Sequence, residues 1–116
     1  MEPTTLTSAD LFLHNAADAQ VSIHVIPNEN GNPPGNLADA ELHFRGGVLD
    51  GLKLIGFGVW ETRITRNVTF PARQYLVNGE RRSFALLRPI TDVEASARIR
   101  DLILDAYAAQ ENANHG

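Results

Sequence analysis

Residues that interrupt regular structure recur along the chain: Pro27, the run Asn28 to Asn36, Gly46-Gly47, Gly51, Pro71, Asn78-Gly79 and Pro89. Proline fixes φ and lacks a backbone donor, while Asn-Gly suits both positive-φ positions of a type I′ turn. Between these stops, up to Pro89, apolar residues alternate with period two; beyond Pro89 they recur with the period of a helix. That division admits one kind of architecture, strands first and a helix last.

Val21, Ile23 and Val25 alternate with Ser22, His24 and Ile26, which predicts a strand over 21–26 that Pro27 ends. Residues 28–36, with the Pro33-Pro34 pair, read as a long surface loop. Ala40 to Phe44 alternates again and is expected to pair with the first strand. Leu52 to Thr62 forms a longer strand, with Leu52, Leu54, Gly56, Gly58 and Trp60 on one face and Lys53, Ile55, Phe57, Val59 and Glu61 on the other. Both faces are apolar near its middle, the pattern of a central strand covered on each side. Gly56 and Gly58 strip side chains from one face, so that a neighbour can approach or the strand can bend. Val68 to Phe70 is a short strand stopped by Pro71, which Ala72 to Val77 continues past an edge irregularity. Arg82 to Leu87 returns as a strand after the Asn78-Gly79 turn.

Thr91 with Glu94 three residues later has the spacing of a capping box. Ile99, Leu102, Ile103, Ala106 and Tyr107 then form one apolar stripe, which predicts a helix from about Asp92 to about Gln110. A shorter helix starting near Thr7 has weak support from the polar run that follows it. The expected organisation is an N-terminal extension over 1–20, weakly helical or disordered, one α+β domain over 21–110, and a frayed tail over 111–116. The domain is an antiparallel sheet of four to five strands with one long C-terminal helix packed on it.

Composition narrows function mainly by exclusion. With 116 residues, 43% of them apolar and 21% charged, the chain suits one soluble globular domain. The lack of cysteine removes disulfides, thiolate metal ligands and cysteine nucleophiles. No signal-like start and no apolar run near the length of a membrane span is present, so the expected location is cytoplasmic. His14, His24, His43 and His115 have no metal-ligand spacing; His24 and His43, with Glu61 as a third group, would form a metal or catalytic site only if the first two strands brought them together. Gly56-Phe57-Gly58 lacks the third glycine and following helix of a dinucleotide site. No catalytic residue, metal site, cofactor or small-molecule substrate is therefore assigned.

The basic residues give the positive signal. The formal net charge is −4, yet nine of the ten basic residues are arginine, with Lys53 the exception. Residues 62–88 hold six arginines against Glu80, a formal +5, between flanks carrying −6 and −3. A hairpin across Asn78-Gly79 would gather Arg73, Arg81 and Arg82, with Arg63 and Arg66 in the preceding turn and Tyr75 available to stack on bases. Planar guanidinium forks suit phosphate oxygens, and a two-stranded ribbon fits a major groove. The alternative is that these arginines are a solvated face or are held in ion pairs within or between subunits.

The order of segments resembles the stage V sporulation protein G (SpoVG) family of small bacterial regulators from Val21 to about Tyr107. Val21-Ser22-Ile23-His24-Val25 resembles the family's opening strand, Ala40 to Phe44 its second, and Leu52 to Phe57 the aliphatic strand that ends in a glycine turn. Val68-Thr69-Phe70-Pro71 is similar to its short strand closing on proline, with Arg73 near the basic residues that follow. Phe84 to Ile90, with its Pro89-Ile90 close, and Arg98 to Tyr107 resemble the next strand and the final helix. The connection from Trp60 to Asn67, the Asn-rich loop and the acidic C-terminus depart from that pattern. The resemblance implies a dimer that binds DNA or RNA sequence-selectively, without catalysis, and it places Arg73 alone by motif. The resulting expectation is a non-enzymatic, nucleic-acid-binding regulator that dimerises through strand or helix exchange. The alternative is a self-associating structural or protein-interaction domain.

Overall fold

The computed structural model describes residues 19–115, so the helix considered near Thr7 and the rest of 1–18 lie outside the described residues. The fold is α+β. Strands β1 (Gln20–Pro27), β2 (Asn36–Arg45), β3 (Lys53–Glu61) and β4 (Arg66–Thr69) form one antiparallel sheet in that order. Strands β5 (Ala72–Val77) and β6 (Glu80–Ala85) form a separate two-stranded sheet, and helix α1 (Glu94–His115) follows.

The core lies between α1 and one face of the four-stranded sheet. Ala38, Ala40 and Leu42 from β2, Phe57 and Val59 from β3 and Ile103 from α1 are buried, with Ile23, Val25, Val68, Phe70, Ile99, Leu104 and Tyr107 packed around them. Ala38 and Ala40 are fully buried in the middle of β2. Leu102, expected in the helix's apolar stripe, is instead 47% exposed, while Ile103 is fully buried.

As expected, β3 is interior to the sheet, but its strict alternation is broken. Ala40 pairs with Phe57 and Leu42 with Leu54, so β3 spends one residue more than β2 between these pairs. This is a β-bulge, and Gly56 carries its backbone strain at φ 105°. The bulge resets the phase, so Leu54 and Phe57 both pack on the core side, against the expectation that they face opposite ways. Nor is β3 covered on both sides. Trp60 lies on the face away from α1, close over Gly58, and its Nε1 donates to Thr69 Oγ1 at 2.9 Å. A Cβ on Gly58 would sit 2.6 Å from that nitrogen, so the missing side chain makes room for the indole.

The helix starts differently from the expected box. Asp92 rather than Thr91 caps it: Asp92 Oδ1 accepts from the Glu94 amide at 3.0 Å, and Arg98 approaches Oδ2 at 3.4 Å. At the other end α1 runs on to His115 instead of stopping near Gln110. Glu111, in the segment expected to fray, is gripped by Arg66.

Candidate nucleic-acid interface

The β5–β6 hairpin stands apart as an arm. Pro71 is buried at its base, and the Leu86 amide donates to the Pro71 carbonyl at 2.8 Å to close it. At its tip Asn78 and Gly79 have φ of 51° and 83°, the positive values that a type I′ turn requires. A two-residue turn puts Glu80 straight into the ladder, so β6 begins two residues earlier than the 82–87 span read from alternation. Apart from Ala85, each strand residue of the arm is exposed. The molecule measures 63 × 51 × 23 Å, with a Cα radius of gyration of 17.9 Å. A compact domain of about 100 residues has roughly 13 Å.

Register divides the arm into two faces, because paired residues of an antiparallel ladder point the same way. Arg73 pairs with Phe84, Tyr75 with Arg82 and Val77 with Glu80; these six share one face. Ala72 pairs with Ala85, Gln74 with Ser83 and Leu76 with Arg81; these six share the other. Arg73 and Arg82 are therefore brought together, while Arg81 points away from them. On the first face the Tyr75 and Phe84 rings lie 5.6 Å apart, and Arg82 reaches Glu80 at 3.2 Å. Phe84 was not among the expected site residues, although the two-residue turn places it beside Arg73 by register alone.

The other two arginines are elsewhere. Arg63 sits in the turn that Thr62 and Thr65 close at the far end of β4 from the arm. Arg66 fastens β4 to α1. Its two terminal nitrogens each lie 3.3 Å from a Glu111 oxygen, Nε is 3.7 Å from Glu61, and the guanidinium lies 5.1 Å from the Tyr107 ring centre. The Glu111 carboxylate raises the Arg66 pKa above its ordinary value. Burial is the main cause that raises the Tyr107 phenol. Arg66 thus serves the helix rather than the arm.

The histidine pair does meet. The rings of His24 and His43 stack at 3.6 Å, and His43 Nε2 lies 2.9 Å from Glu41 Oε1, which Lys53 also approaches at 3.2 Å. The hydrogen bond with His43, then that from Lys53, lowers the Glu41 pKa. Glu61 is at the other end of β3, beside Arg66. Among the described residues no group of three or more His, Asp or Glu side chains is placed to hold a metal ion.

Comparison with protein-family models, curated proteins and solved structures finds no match to this chain. Among the described residues no helix is long and apolar enough to cross a membrane.

Proposed function

We propose that this protein is a non-enzymatic, nucleic-acid-binding regulator that acts as a dimer in the cytoplasm, with the arm as its binding element. The observation that carries this reading is one face of a free-standing ribbon that combines Arg73 and Arg82 with the Tyr75–Phe84 ring pair. Guanidinium groups take phosphate oxygens, and aromatic faces take unstacked bases whatever their sequence. The ion pair with Glu80 is exposed, so the exchange of that carboxylate for a phosphate costs little desolvation. The resemblance to the SpoVG family belongs to the same proposal and supports it through Arg73 and the order of strands and helix.

A fluorescence-anisotropy titration with mixed DNA and RNA oligonucleotides at two salt concentrations tests the reading. Wild-type protein binds at low salt and loses affinity steeply as salt rises. The double variant Arg73→Ala, Arg82→Ala binds more weakly and with a salt slope lower by about 1.5, the loss of two phosphate contacts. Unchanged binding by that variant removes the arm from the interface. A self-associating domain without nucleic-acid binding is the second reading, favoured by the exposed Leu76 and Val77 at the tip of the arm. It predicts no anisotropy change at low salt, with an oligomer still seen by light scattering.

A further inference from the structure

The face of the four-stranded sheet turned away from α1 holds a groove of about 380 Å³. One row of cross-strand neighbours crosses it: Ile26 on β1, Asp39 on β2, Gly58 on β3 and Thr69 on β4. Ile26, Ile55 and Trp60 form its apolar walls, with both isoleucines about half exposed, while Pro71 fills the space beside Gly56 and the indole that over Gly58. Asp39 is exposed and has no ion-pair partner among the described residues, whereas Glu41 beside it is taken by His43 and Lys53.

The second face of the arm is the counterpart of this groove. Leu76, 70% exposed, has Arg81 as its cross-strand neighbour, and Arg81 also has no ion-pair partner among the described residues. The other four residues of that face, Ala72, Gln74, Ser83 and Ala85, are small or polar and allow close approach. Groove and arm thus each present an apolar side chain next to a charged one at adjacent strand positions, about 5 Å apart in both cases. The charges are opposite. Among the described residues of one chain, β5 and β6 pack extensively only on each other.

We infer that the Leu76–Arg81 face of the arm docks into the Ile26–Asp39–Trp60 groove of a second copy of this chain. Leu76 enters between the two isoleucines and the indole, and Arg81 pairs with Asp39 of the facing copy. The exchange is reciprocal and closes by two-fold symmetry, so each protomer supplies one arm and one groove. Reciprocity matters for size, since one fourteen-residue ribbon is smaller than the roughly 20–30 residues a side of a stable interface. The Arg73–Tyr75–Arg82–Phe84 face stays outward and open to nucleic acid. This assignment rests on the dimer part of the proposed function and is independent of the nucleic-acid part.

Sedimentation equilibrium on four full-length proteins tests it: wild type, Arg81→Glu, Asp39→Arg and the double charge swap, each checked for fold by circular dichroism. The expected result is a wild-type dimer, each single variant raising the dimer dissociation constant by about tenfold or more, and recovery to within about threefold in the double swap. Arg73→Ala with Arg82→Ala leaves the dimer intact. Single variants that dimerise like wild type overturn the docking while the dimer stands, and so does a double swap that fails to recover. A wild-type monomer overturns docking and dimer together. In either case the wild-type anisotropy titration reports separately on nucleic-acid binding.

Discussion

Glu41 shows how the sheet's open face is tuned side chain by side chain. Its carboxylate lies between the His43 ring and the Lys53 ammonium, and those hydrogen bonds hold its pKa below the ordinary 4.5. A carboxyl that is more acidic in the folded state adds stability above its unfolded pKa, and that contribution disappears as pH falls through the folded value. Urea unfolding followed across an acid pH series should therefore show wild type losing stability below about pH 4.5 more steeply than Glu41→Gln. Parallel curves would mean that folding leaves the Glu41 pKa unchanged. On the same face Gly58 seats the Trp60 indole, which occupies the space a Cβ would fill. A sequence reader sees two glycines in a strand and infers a missing side chain; which neighbour fills the gap depends on how the indole folds back over the strand.

Elements were legible where punctuation was strong. Pro27, Pro71 and Asn78-Gly79 bound their strands closely, because a missing donor or a pair of positive-φ residues acts locally, whatever the rest of the fold does. The phase of β3 was not legible, because a bulge is a relation between two strands and only the partner's register reveals it. The helix start is ambiguous in the sequence for a different reason. Thr91 and Asp92 both fit an N-cap, and the charged oxygen one residue later also interacts with the positive end of the helix. Thermal melts should show Asp92→Ala costing about 1 kcal/mol, with Thr91→Ala close to wild type. The reverse order would restore the Thr91–Glu94 box. At the far end, Arg66 extends the helix past its own apolar stripe by holding Glu111, an interaction between residues forty-five positions apart that periodicity cannot register.

For the molecule as a whole, the main division is between a packed body and an arm that adds nothing to its core. Among the described residues, none of the six buried apolar core residues lies between Ala72 and Ala85, and Phe70 and Leu87, which flank the arm, remain packed on the body. A chain in which residues 73–84 are replaced by a short glycine linker should keep its circular dichroism spectrum of sheet and helix and a cooperative melt. Under the proposed arm exchange it should sediment as a monomer while wild type forms a dimer, and part of any fall in Tm then reflects lost association rather than a damaged core. Loss of the cooperative melt would show that the arm is part of the folding unit. The candidate interface was only half visible beforehand. Composition located the arginines and the turn located the ribbon, but the separation of Arg81 from Arg73 and Arg82 follows from pairing.

That pairing also bears on how such a chain can diverge. Odd-numbered positions of β5 and even-numbered positions of β6 write one surface of the arm, and the remaining positions write the other, so under the proposed assignment substitutions can alter ligand preference and subunit partnership independently. An insertion of a single residue in β5 would break this independence by exchanging the surfaces from that point onward, whereas insertion of two residues in each strand would lengthen the arm and preserve both.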